Sequence, residues 1–281
     1  MKKLILFILM GSILGCGKID ADLPGPDEDP EVIKLLVEEL EEEANIIESF
    51  NEGLPPEGEG FNIGDLIVEP EGFTSLAFNG VDQYLEFDED LRDYNNYSLS
   101  IWFKTNDPNS IQTVFWQGVG DQNGWGAGQH NPAKAEMNVT LNHWSNTDAE
   151  VLSVFYGYNE SADNSEGSGE LLPLSYPVTR NASDGSFSLT GFSTPITTDW
   201  HHLVVIISKN GSQVQAQSYL DGILVGTGTG TQVDNSLWNP QFRVGRPGAD
   251  QRYFSGKLAK FMFFSKELSF EEVQALYEDG L

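Results

Sequence analysis

The hydrophobic and polar positions near the N-terminus follow a helical pattern. Apolar residues recur at three- and four-residue spacing, at Ile33, Leu36, Leu40, Ile47 and Phe50. Glutamates occupy much of the remainder, so the spacing predicts an amphipathic helix over about residues 31–50. The apolar stripe is narrow. It fits a helix that packs on a domain or a partner helix, and equally a solvated spacer that is helical only part of the time.

Beyond Phe73 the pattern changes to short alternating or apolar runs separated by Gly, Asn, Asp and Pro. These runs predict strands at Ser75–Phe78, Tyr84–Phe87, Ser98–Lys104, Thr113–Gln117, Met137–His143, Val151–Tyr156, Phe187–Leu189, His202–Lys209, Gln213–Leu220, Phe242–Val244 and Lys257–Phe264. Many short strands with turn signals between them predict an all-β sandwich or jelly roll instead of a βαβ fold.

Three local signals complete the prediction of elements. Ser269–Asp279 is predicted to be a helix, because Ser269 and Glu272 form an S-x-x-E capping box. Asp221-Gly222 predicts a tight hairpin turn that needs positive φ. The run Gly226–Gly230 lacks the Lys-Ser/Thr pair and following helix of a phosphate loop, so a flexible turn is predicted there.

The first sixteen residues predict a signal peptide followed by a lipidation site. Met1-Lys2-Lys3 forms a positive n-region, and the apolar run Leu4–Leu14 is too short to span a membrane. Ile13-Leu14-Gly15-Cys16 resembles the lipobox of bacterial lipoproteins, which implies a signal peptide over residues 1–15 and acyl chains on Cys16. An ordinary secretory signal is the alternative. Gly17, where inner-membrane retention typically uses Asp, implies anchoring at the outer membrane, with exposure at the cell surface.

Charge divides the mature chain into two parts. Residues 17–72 hold 18 Asp+Glu against 2 Lys, whereas residues 73–281 hold 25 Asp+Glu against 11 Lys+Arg. We therefore predict a lipidated acidic stalk over residues 16–72 and a β domain over residues 73–281. The formal net charge of −28 argues against nucleic acid as a partner, because phosphate binding requires a basic surface. With one cysteine, an internal disulfide is excluded.

The order of motifs along residues 73–281 resembles the laminin G-like members of the concanavalin A-like lectin/glucanase superfamily. The matching segments are Ser75–Leu85, Tyr97–Lys104, Trp200–Val205, Tyr219–Val225, Phe254–Leu258 and Leu268–Val273. The resemblance implies a jelly-roll sandwich. It does not imply one activity, because these motifs consist of packing and turn residues, and Trp102 and Trp200 are expected to be core aromatics. His201 and His202 are interpreted as strand residues without a catalytic triad.

The sequence gives only partial support to two properties known in the superfamily, glucanase catalysis and the binding of a structural Ca²⁺. Its glucanases carry alternating carboxylates on one strand, and Glu86, Asp88 and Asp90 alternate in this way. The shorter Asp at the last position and the register of the strand argue against catalysis, so no enzyme is predicted. A structural Ca²⁺ could use oxygens of Asn79 and Asp82, but the resemblance places Ala259 where a further acid is needed, and the neighbouring Lys260 disfavours a cation. No cofactor is required.

The candidate ligand-binding residues are aromatic and planar polar side chains in Gly-rich or long loop segments. They are Trp125, Gln129, His130, Asn131, Trp144, Tyr156 and Tyr158. Sugars bind aromatic faces and planar hydrogen-bonding groups, so these residues predict a glycan site. The alternative is that the tryptophans fill the core.

These features together predict a non-catalytic binding lipoprotein of the cell surface. A glycan is the first candidate partner, and a surface protein bound through an adhesion module is the second. A glucanase-type hydrolase is a third and weaker interpretation.

Overall fold

The computed structural model describes residues 30–44, 46–48, 65–87, 90–119, 135–141, 152–158, 172–173, 178–180, 187–189, 196–211, 213–231, 240–246 and 252–281. The helices among these residues are α1 (Pro30–Glu43) and α2 (Phe270–Asp279), with a short 3-10 helix at Leu91–Asp93. The strands are β1 (Ile46–Glu48), β2 (Asp65–Val68), β3 (Thr74–Asn79), β4 (Leu85–Phe87), β5 (Asn96–Thr105), β6 (Gln112–Val119), β7 (Ala135–Leu141), β8 (Leu152–Tyr158), β9 (Leu172–Pro173), β10 (Val178–Arg180), β11 (Phe187–Leu189), β12 (His201–Asn210), β13 (Gln213–Leu220), β14 (Ile223–Thr231), β15 (Pro240–Val244) and β16 (Ser255–Phe264).

The strands form two large antiparallel sheets that face each other. Sheet A has the order β14-β13-β12-β5-β16-β3-β2, with β1 pairing the distal half of β16. Sheet B has the order β4-β15-β6-β7-β8-β9, and β10 and β11 pair separately. Apolar side chains from both inner faces form the core, including Leu76, Phe103, Phe242 and Phe263. The all-β sandwich predicted from the sequence is confirmed.

The outer face of sheet A is covered by the two helices. On β12, Leu203 and Val205 point into the core, whereas Val204 and Ile206 belong to a second apolar cluster on the opposite face. Leu40 of α1 and Leu276 of α2 are members of that second cluster. The sequence of β12 is therefore a continuous apolar run, because both faces of this strand are buried.

Helix α2 has the predicted start. Ser269 Oγ accepts the backbone N–H of Glu272, and the Glu272 side chain accepts that of Ser269, which completes the capping box. At the other end, Lys260 Nζ donates to the Gly280 carbonyl and pairs with Asp279, each at 2.8 Å. A cation at a helix C-terminus stabilises the unpaired carbonyls there.

Helix α1 is shorter than the helix predicted from the sequence, and its contacts show how it packs. It ends at Glu43, and Ile47 lies in β1, where the chain pairs with β16. Lys266 bonds to Glu43 of α1 and to Glu272 of α2; although burial lowers the pKa of Lys266, these two carboxylates outweigh it and raise the pKa. The helix packs on the β domain. The predicted division at residues 72/73 and the signal peptide stay predictions.

The turn between β2 and β3 is attached to the sandwich by a buried carboxylate. Glu69 accepts hydrogen bonds from Lys257 Nζ at 2.7 Å and from Ser75 Oγ at 2.5 Å. Burial raises the pKa of Glu69, but these bonds and the Lys257 charge outweigh it and hold the pKa below its usual value.

The prediction of a flexible turn at the glycine–threonine run 226–230 is wrong. The run is not a turn but part of β14, the edge strand of sheet A, where Gly226 pairs with Ser218 and Gly230 with Val214. A register shift between Ser218 and Tyr219 bends the strand pair at the start of this run. Glycines suit such a bulged edge, and the Thr-Gly alternation follows the two-residue period of a strand.

Candidate functional site

Five side chains at one end of the sandwich form what we call the arginine–aromatic cluster: Tyr84, Trp116, Arg243, Arg246 and Tyr253. Tyr84 directly precedes β4, Arg246 follows β15, and Tyr253 precedes β16. Because β4 and β15 run antiparallel with Leu85 opposite Val244, the start of one strand meets the end of the other. The topology thus joins three distant segments at the same end of sheet B.

Cations and rings alternate through the cluster. The guanidinium carbon of Arg246 lies 4.9 Å from the ring centroid of Tyr84 and 5.4 Å from that of Tyr253. The two tyrosine rings are 6.5 Å apart at an interplanar angle of 53°. Arg243 lies 5.6 Å from the Tyr84 ring and 5.8 Å from the Trp116 ring. At such distances each ring attracts the cation through its negative face.

The cluster has a buried part and a part that reaches solvent. Arg243 and Trp116 are each 4% exposed, whereas Tyr84, Arg246 and Tyr253 are half-buried. Nε of Arg243 donates to Oε2 of Glu86 at 2.5 Å, in register across the β15–β4 pair. The charge of Arg243 is therefore balanced inside the protein, and the surface of the cluster is formed by Arg246 and the two tyrosines.

Gly245 directs the chain from β15 into the cluster. Its φ is +86°, and an added Cβ would lie 3.1 Å from the ring of Phe78. Its N–H donates to the Val114 carbonyl, and its carbonyl accepts from the N–H of Phe254, both at 2.8 Å. The backbone just before Arg246 is thereby fixed to the neighbouring strands.

A second constellation joins a hydroxyl, an imidazole and a carboxylate. Nε2 of His201 accepts the backbone N–H of Thr197 at 3.0 Å and lies 3.1 Å from its Oγ1. Nδ1 must then carry the proton, and it donates to Asp221 Oδ2 at 2.8 Å. The other oxygen of Asp221 accepts the N–H of His202. We call Thr197, His201 and Asp221 the histidine clasp.

The histidine clasp contains the three kinds of group found in a catalytic triad, a hydroxyl, an imidazole and a carboxylate. Its hydrogen bonds, however, stabilise the fold. A general base needs its lone pair for the nucleophile's proton, and in His201 that lone pair accepts a backbone N–H. Oγ1 of Thr197 in turn accepts the N–H of Asp199 at 3.1 Å, which closes a turn. The His201 residue is 7% exposed, so substrate has little access to the ring.

The sequence signals for the clasp were present in the chain. The β12–β13 hairpin pairs Leu203 with Leu220 and so places Asp221 beside the two histidines. Asp221 has a φ of 52° and Gly222 of 73°, as the Asp-Gly turn predicted. His201 and His202 lie in β12, as interpreted from the sequence, and the carboxylate that meets them comes from the Asp-Gly turn.

The predicted ligand-binding residues fall largely outside the described part of the chain. Trp125, Gln129, His130, Asn131 and Trp144 lie outside the described residues, as does Cys16. Tyr156 and Tyr158 lie in β8 and pair with Met137 and Ala135 of β7. Trp116 lies opposite Arg243 of β15 and Asn138 of β7, and Asn138 lies opposite Phe155 of β8. Tyr156 and Tyr158 are therefore not in the row of paired residues that contains Trp116.

The predicted calcium residues form a closed turn. Oδ1 of Asn79 accepts the N–H groups of Val81 and Asp82, at 2.8 and 3.2 Å, and Nδ2 of Asn79 donates to Asp82 Oδ1 at 2.8 Å. In the described residues no group of three His, Cys, Asp or Glu side chains could hold a metal ion. A calcium ion prefers six to eight oxygens, and Oδ1 of Asn79 and Oδ1 of Asp82 already take part in the hydrogen bonds of the turn. The calcium site stays a prediction.

The glucanase pattern is not assembled in the described part of the chain. Strand β4 ends at Phe87, and Asp88 lies outside the described residues. Glu86 pairs with Arg243, and Asp90 accepts the Gln117 side-chain amide at 3.2 Å. Trp102 is buried against His202 and Tyr277, with centroids 4.9 and 5.9 Å away, as expected for a core aromatic.

The sandwich and its motifs define the class of the domain. Residues 175–274 match the family model for laminin G-type domains, described as "Concanavalin A-like lectin/glucanases superfamily". The fold is a jelly-roll sandwich of this type. A comparison with curated proteins finds no match. No helix in the described residues is long and apolar enough to cross a membrane.

Solved structures with a similar fold share little sequence with this chain. One is titled "Crystal structure of the receptor binding domain", with 15% identity and a TM-score of 0.51; the match covers 87% of this chain and 52% of that one. Another is domain 4 of AbnA, an extracellular arabinanase from Geobacillus stearothermophilus, with 18% identity, 79% and 84% coverage and a TM-score of 0.44. A third is the CBM40 of a Ruminococcus gnavus sialidase, with 14% identity, 72% and 96% coverage and a TM-score of 0.47. At these identities the similarity extends to the fold alone.

Proposed function

We propose that this chain is a binding lipoprotein without catalytic activity, that Cys16 anchors it to the outer membrane, and that its jelly roll binds a glycan at the cell surface. The observation that carries glycan binding is the arginine–aromatic cluster. It presents tyrosine rings and a guanidinium from three segments held by β4, β15 and β16. Aromatic faces and planar hydrogen-bond donors are the groups with which proteins hold sugars.

We propose no catalytic activity because the side chains that could act as catalytic groups are engaged in other hydrogen bonds. A retaining or inverting glycosidase needs two carboxyl groups that flank the scissile bond. Glu86 is committed to Arg243, and the only lone pair of His201 accepts a backbone N–H. These groups are engaged in holding the fold.

The direct test is a glycan array screened with the mature chain, followed by titration of each hit. We expect dissociation constants on the order of 10 μM to 1 mM, typical of a shallow site with few contacts. The bound oligosaccharide should be recovered unchanged, with no new reducing ends. Turnover of the ligand would contradict a purely binding role.

A variant in the glycine-rich segment extends this test. If Trp125 provides an aromatic face for the sugar, Trp125→Ala should abolish measurable binding and leave the melting temperature within a few degrees. A large fall in melting temperature would instead place Trp125 in the core. Unchanged affinity in a stable variant would move the site away from Trp125, to the arginine–aromatic cluster or to the segment of residues 156–180.

The anchor has its own test. Gly15-Cys16 follows an apolar run as in a lipobox, and Cys16 is the only cysteine of the chain. Stable anchoring needs more than one acyl chain, which a bacterial lipoprotein provides. The Cys16→Ala variant should leave the membrane fraction, whereas the wild type should carry an acyl mass on the N-terminal peptide. A membrane-bound variant and an unmodified wild type would refute the anchor.

Protein adhesion is a second candidate, favoured by the edge strand β14. Ile223 is 62% exposed and Leu224 46% exposed at its start, and β14 pairs on one side with β13. An exposed edge strand can pair with an extended segment of another protein. Ile223→Lys should then abolish capture of an outer-membrane partner without affecting glycan binding. Loss of glycan binding in the same variant would place both ligands on one surface.

A further inference from the structure

His202 of β12 is a buried imidazole with one satisfied nitrogen in the described part of the chain. The residue is 1% exposed, and its Nε2 lies 2.8 Å from the hydroxyl oxygen of Ser100 in β5. Its Nδ1 has no hydrogen-bond partner among the described residues. A protonated imidazole carries an N–H on both nitrogens. Protonation inside the closed fold would therefore bury a charge and an N–H without an acceptor, and both are unfavourable.

The charged groups that face His202 do not offset its burial. Asp221, in the turn after β13, attracts a positive charge, but its two carboxylate oxygens already accept N–H groups from His201 and His202. Lys260 of β16 repels a positive charge, and its own counter-ion is Asp279 of α2. Burial is the largest of these effects, and it lowers the pKa of His202 to about 3.

Helix α2 packs against the His202 ring and is attached to the sheet by side chains. Trp102 of β5 and Tyr277 of α2 contact this ring, with centroids 4.9 and 6.1 Å away. Strands β5, β12 and β16 are joined to one another by the backbone hydrogen bonds of sheet A, whereas α2 is attached by contacts such as that of Gln274, which donates to the Gly222 carbonyl. A helix attached in this way opens at a lower free energy than a central strand separates. Hydration of a protonated His202 is therefore expected to displace α2 and not a strand.

Lys266 connects α2 to α1. Its Nζ donates to Oε1 of Glu272 in α2 at 2.8 Å and also to Glu43 in α1. Leu276 of α2 and Leu40 of α1 belong to the same apolar cluster on the outer face of sheet A. When α2 leaves the sheet, α1 loses the shared cation and part of its apolar surroundings, so the two helices are coupled.

We propose that α2 is an acid-sensitive latch: protonation of His202 releases the helix from sheet A, and the loss of the Lys266 bridge then loosens α1. The latch gives the domain a second state in acid, in which the outer apolar cluster becomes accessible. None of the groups involved belongs to the arginine–aromatic cluster, so this inference is independent of the proposed glycan binding.

The latch should open as the pH falls below 6.5. His202 has a pKa of about 3 while α2 is closed and returns to the ordinary 6.5 when the ring is exposed. The closed state keeps its full advantage above pH 6.5 and loses it toward pH 3, by up to about tenfold per pH unit in the ratio of open to closed molecules. Between pH 7.5 and 5 this ratio should rise about thirtyfold. Ordinary carboxylates stay ionised over this interval, and Lys266, whose pKa is raised, stays charged.

The experiment measures hydrogen exchange of backbone amides in the full mature chain between pH 7.5 and 5. Each rate is compared with that of an unstructured peptide at the same pH, so that the protection reports opening alone. Amides of α2 are expected to exchange faster than those of β5 and to respond weakly to low denaturant, as local opening does. Protection of α2 should fall about thirtyfold across the interval, and protection of α1 should fall with it.

Variants then assign the proton and the coupling. His202→Gln removes the titrating ring and keeps a side chain that can bond Ser100, so α2 protection should change by less than about threefold over the same interval. Lys266→Gln should preserve the response of α2 and reduce that of α1. The matched control is Lys34→Gln, which removes the same charge from an exposed site on α1 and should preserve both responses. The wild-type profile requires no substitution, so it tests the latch even if His202→Gln does not fold.

Several results would overturn the latch. One is wild-type α2 protection that changes less than about threefold between pH 7.5 and 5. Another is equal, slow exchange of α2 and β5 with the same response to denaturant, because the helix would then open only in global unfolding. A fall in protection that persists in His202→Gln would assign the proton to another group. Continued protection of α1 while α2 opens would overturn the coupling through Lys266. Failure of glycan binding would affect none of these results.

Discussion

His202 is a buried imidazole that packs against two aromatic rings, one of which belongs to the C-terminal helix. Its ring is stacked on Trp102 at 4.9 Å and on Tyr277 at 6.1 Å, and Nε2 shares a hydrogen bond with Ser100 at 2.8 Å. Nδ1 has no hydrogen-bond partner in the described residues. Burial outweighs the nearby charge of Asp221 and lowers the pKa of His202 to about 3.

This burial predicts a pH dependence of stability at a mildly acidic pH. The folded state keeps His202 neutral, while the unfolded chain binds a proton below its ordinary pKa of about 6.5. The free energy of unfolding should therefore fall as pH decreases below 6.5, approaching about 1.4 kcal/mol per pH unit until the pH nears 3.

Denaturant unfolding of the wild type and His202→Gln between pH 6.5 and 5 measures this effect. The variant is expected to have the lower stability at neutral pH but a flatter profile over that interval. Glu69 does not interfere, because a carboxylate with a depressed pKa loses its contribution only below its unfolded pKa of 4.5. Parallel profiles for both proteins would contradict a neutral, buried His202.

The hydrogen bonds of the histidine clasp predict that Asp221→Asn lowers the stability of the fold. Asparagine tolerates the positive φ of this position, so the substitution isolates the carboxylate from the turn. Its amide can satisfy only one of the two N–H donors that meet Asp221, which come from His201 and His202. The free energy of unfolding should fall by about 1–3 kcal/mol.

A neighbouring carboxylate gives the matched control for the clasp. Asp199 is exposed and contacts the Thr197 hydroxyl at 3.2 Å, so Asp199→Asn should change stability by less than about 0.5 kcal/mol. Equal losses in both variants, measured by denaturant unfolding, would show that the buried bonds of Asp221 have no special weight.

At the scale of elements, helix α1 offers two leucines in opposite environments. Leu40 is 1% exposed and packs with Val204 and Phe264, whereas Leu35 is 65% exposed. Leu40→Ala should lower the free energy of unfolding by about 2–5 kcal/mol, because a buried leucine leaves a cavity. Leu35→Ala should have nearly no effect. Similar small changes in both would mean that α1 detaches from the sandwich in solution.

At the scale of the whole molecule, the segment before residue 73 contributes to the domain. It supplies Leu40 to the outer cluster, β1 and β2 to sheet A, and Glu69 to the ion pair with Lys257. A chain beginning at Thr74 should therefore be less stable than one beginning at Pro30 by about 3 kcal/mol or more. Equal unfolding midpoints would show instead that residues 30–73 are a dispensable stalk.

The sequence determined the elements whose signal is local. The strand predicted at Gln213–Leu220 has those bounds in the structure, and the capping box of Ser269 and Glu272 begins α2. Alternation, caps and tight turns act through neighbouring residues, so a single sequence carries them. The same pattern misjudged residues 46–48, because the pairing of β1 with β16 overrides helical spacing there.

The tertiary structure alone decided where the candidate site lies. Tyr84, Arg246 and Tyr253 are separated by up to 169 positions in the chain, and no local motif brings them together. They meet because β4 pairs with β15, so that the start of β4 and the end of β15 lie together beside the start of β16. Sheet pairing between distant strands is set by the packing of the entire sandwich, so the sequence specified the class of fold, and only the folded chain specified the candidate binding surface.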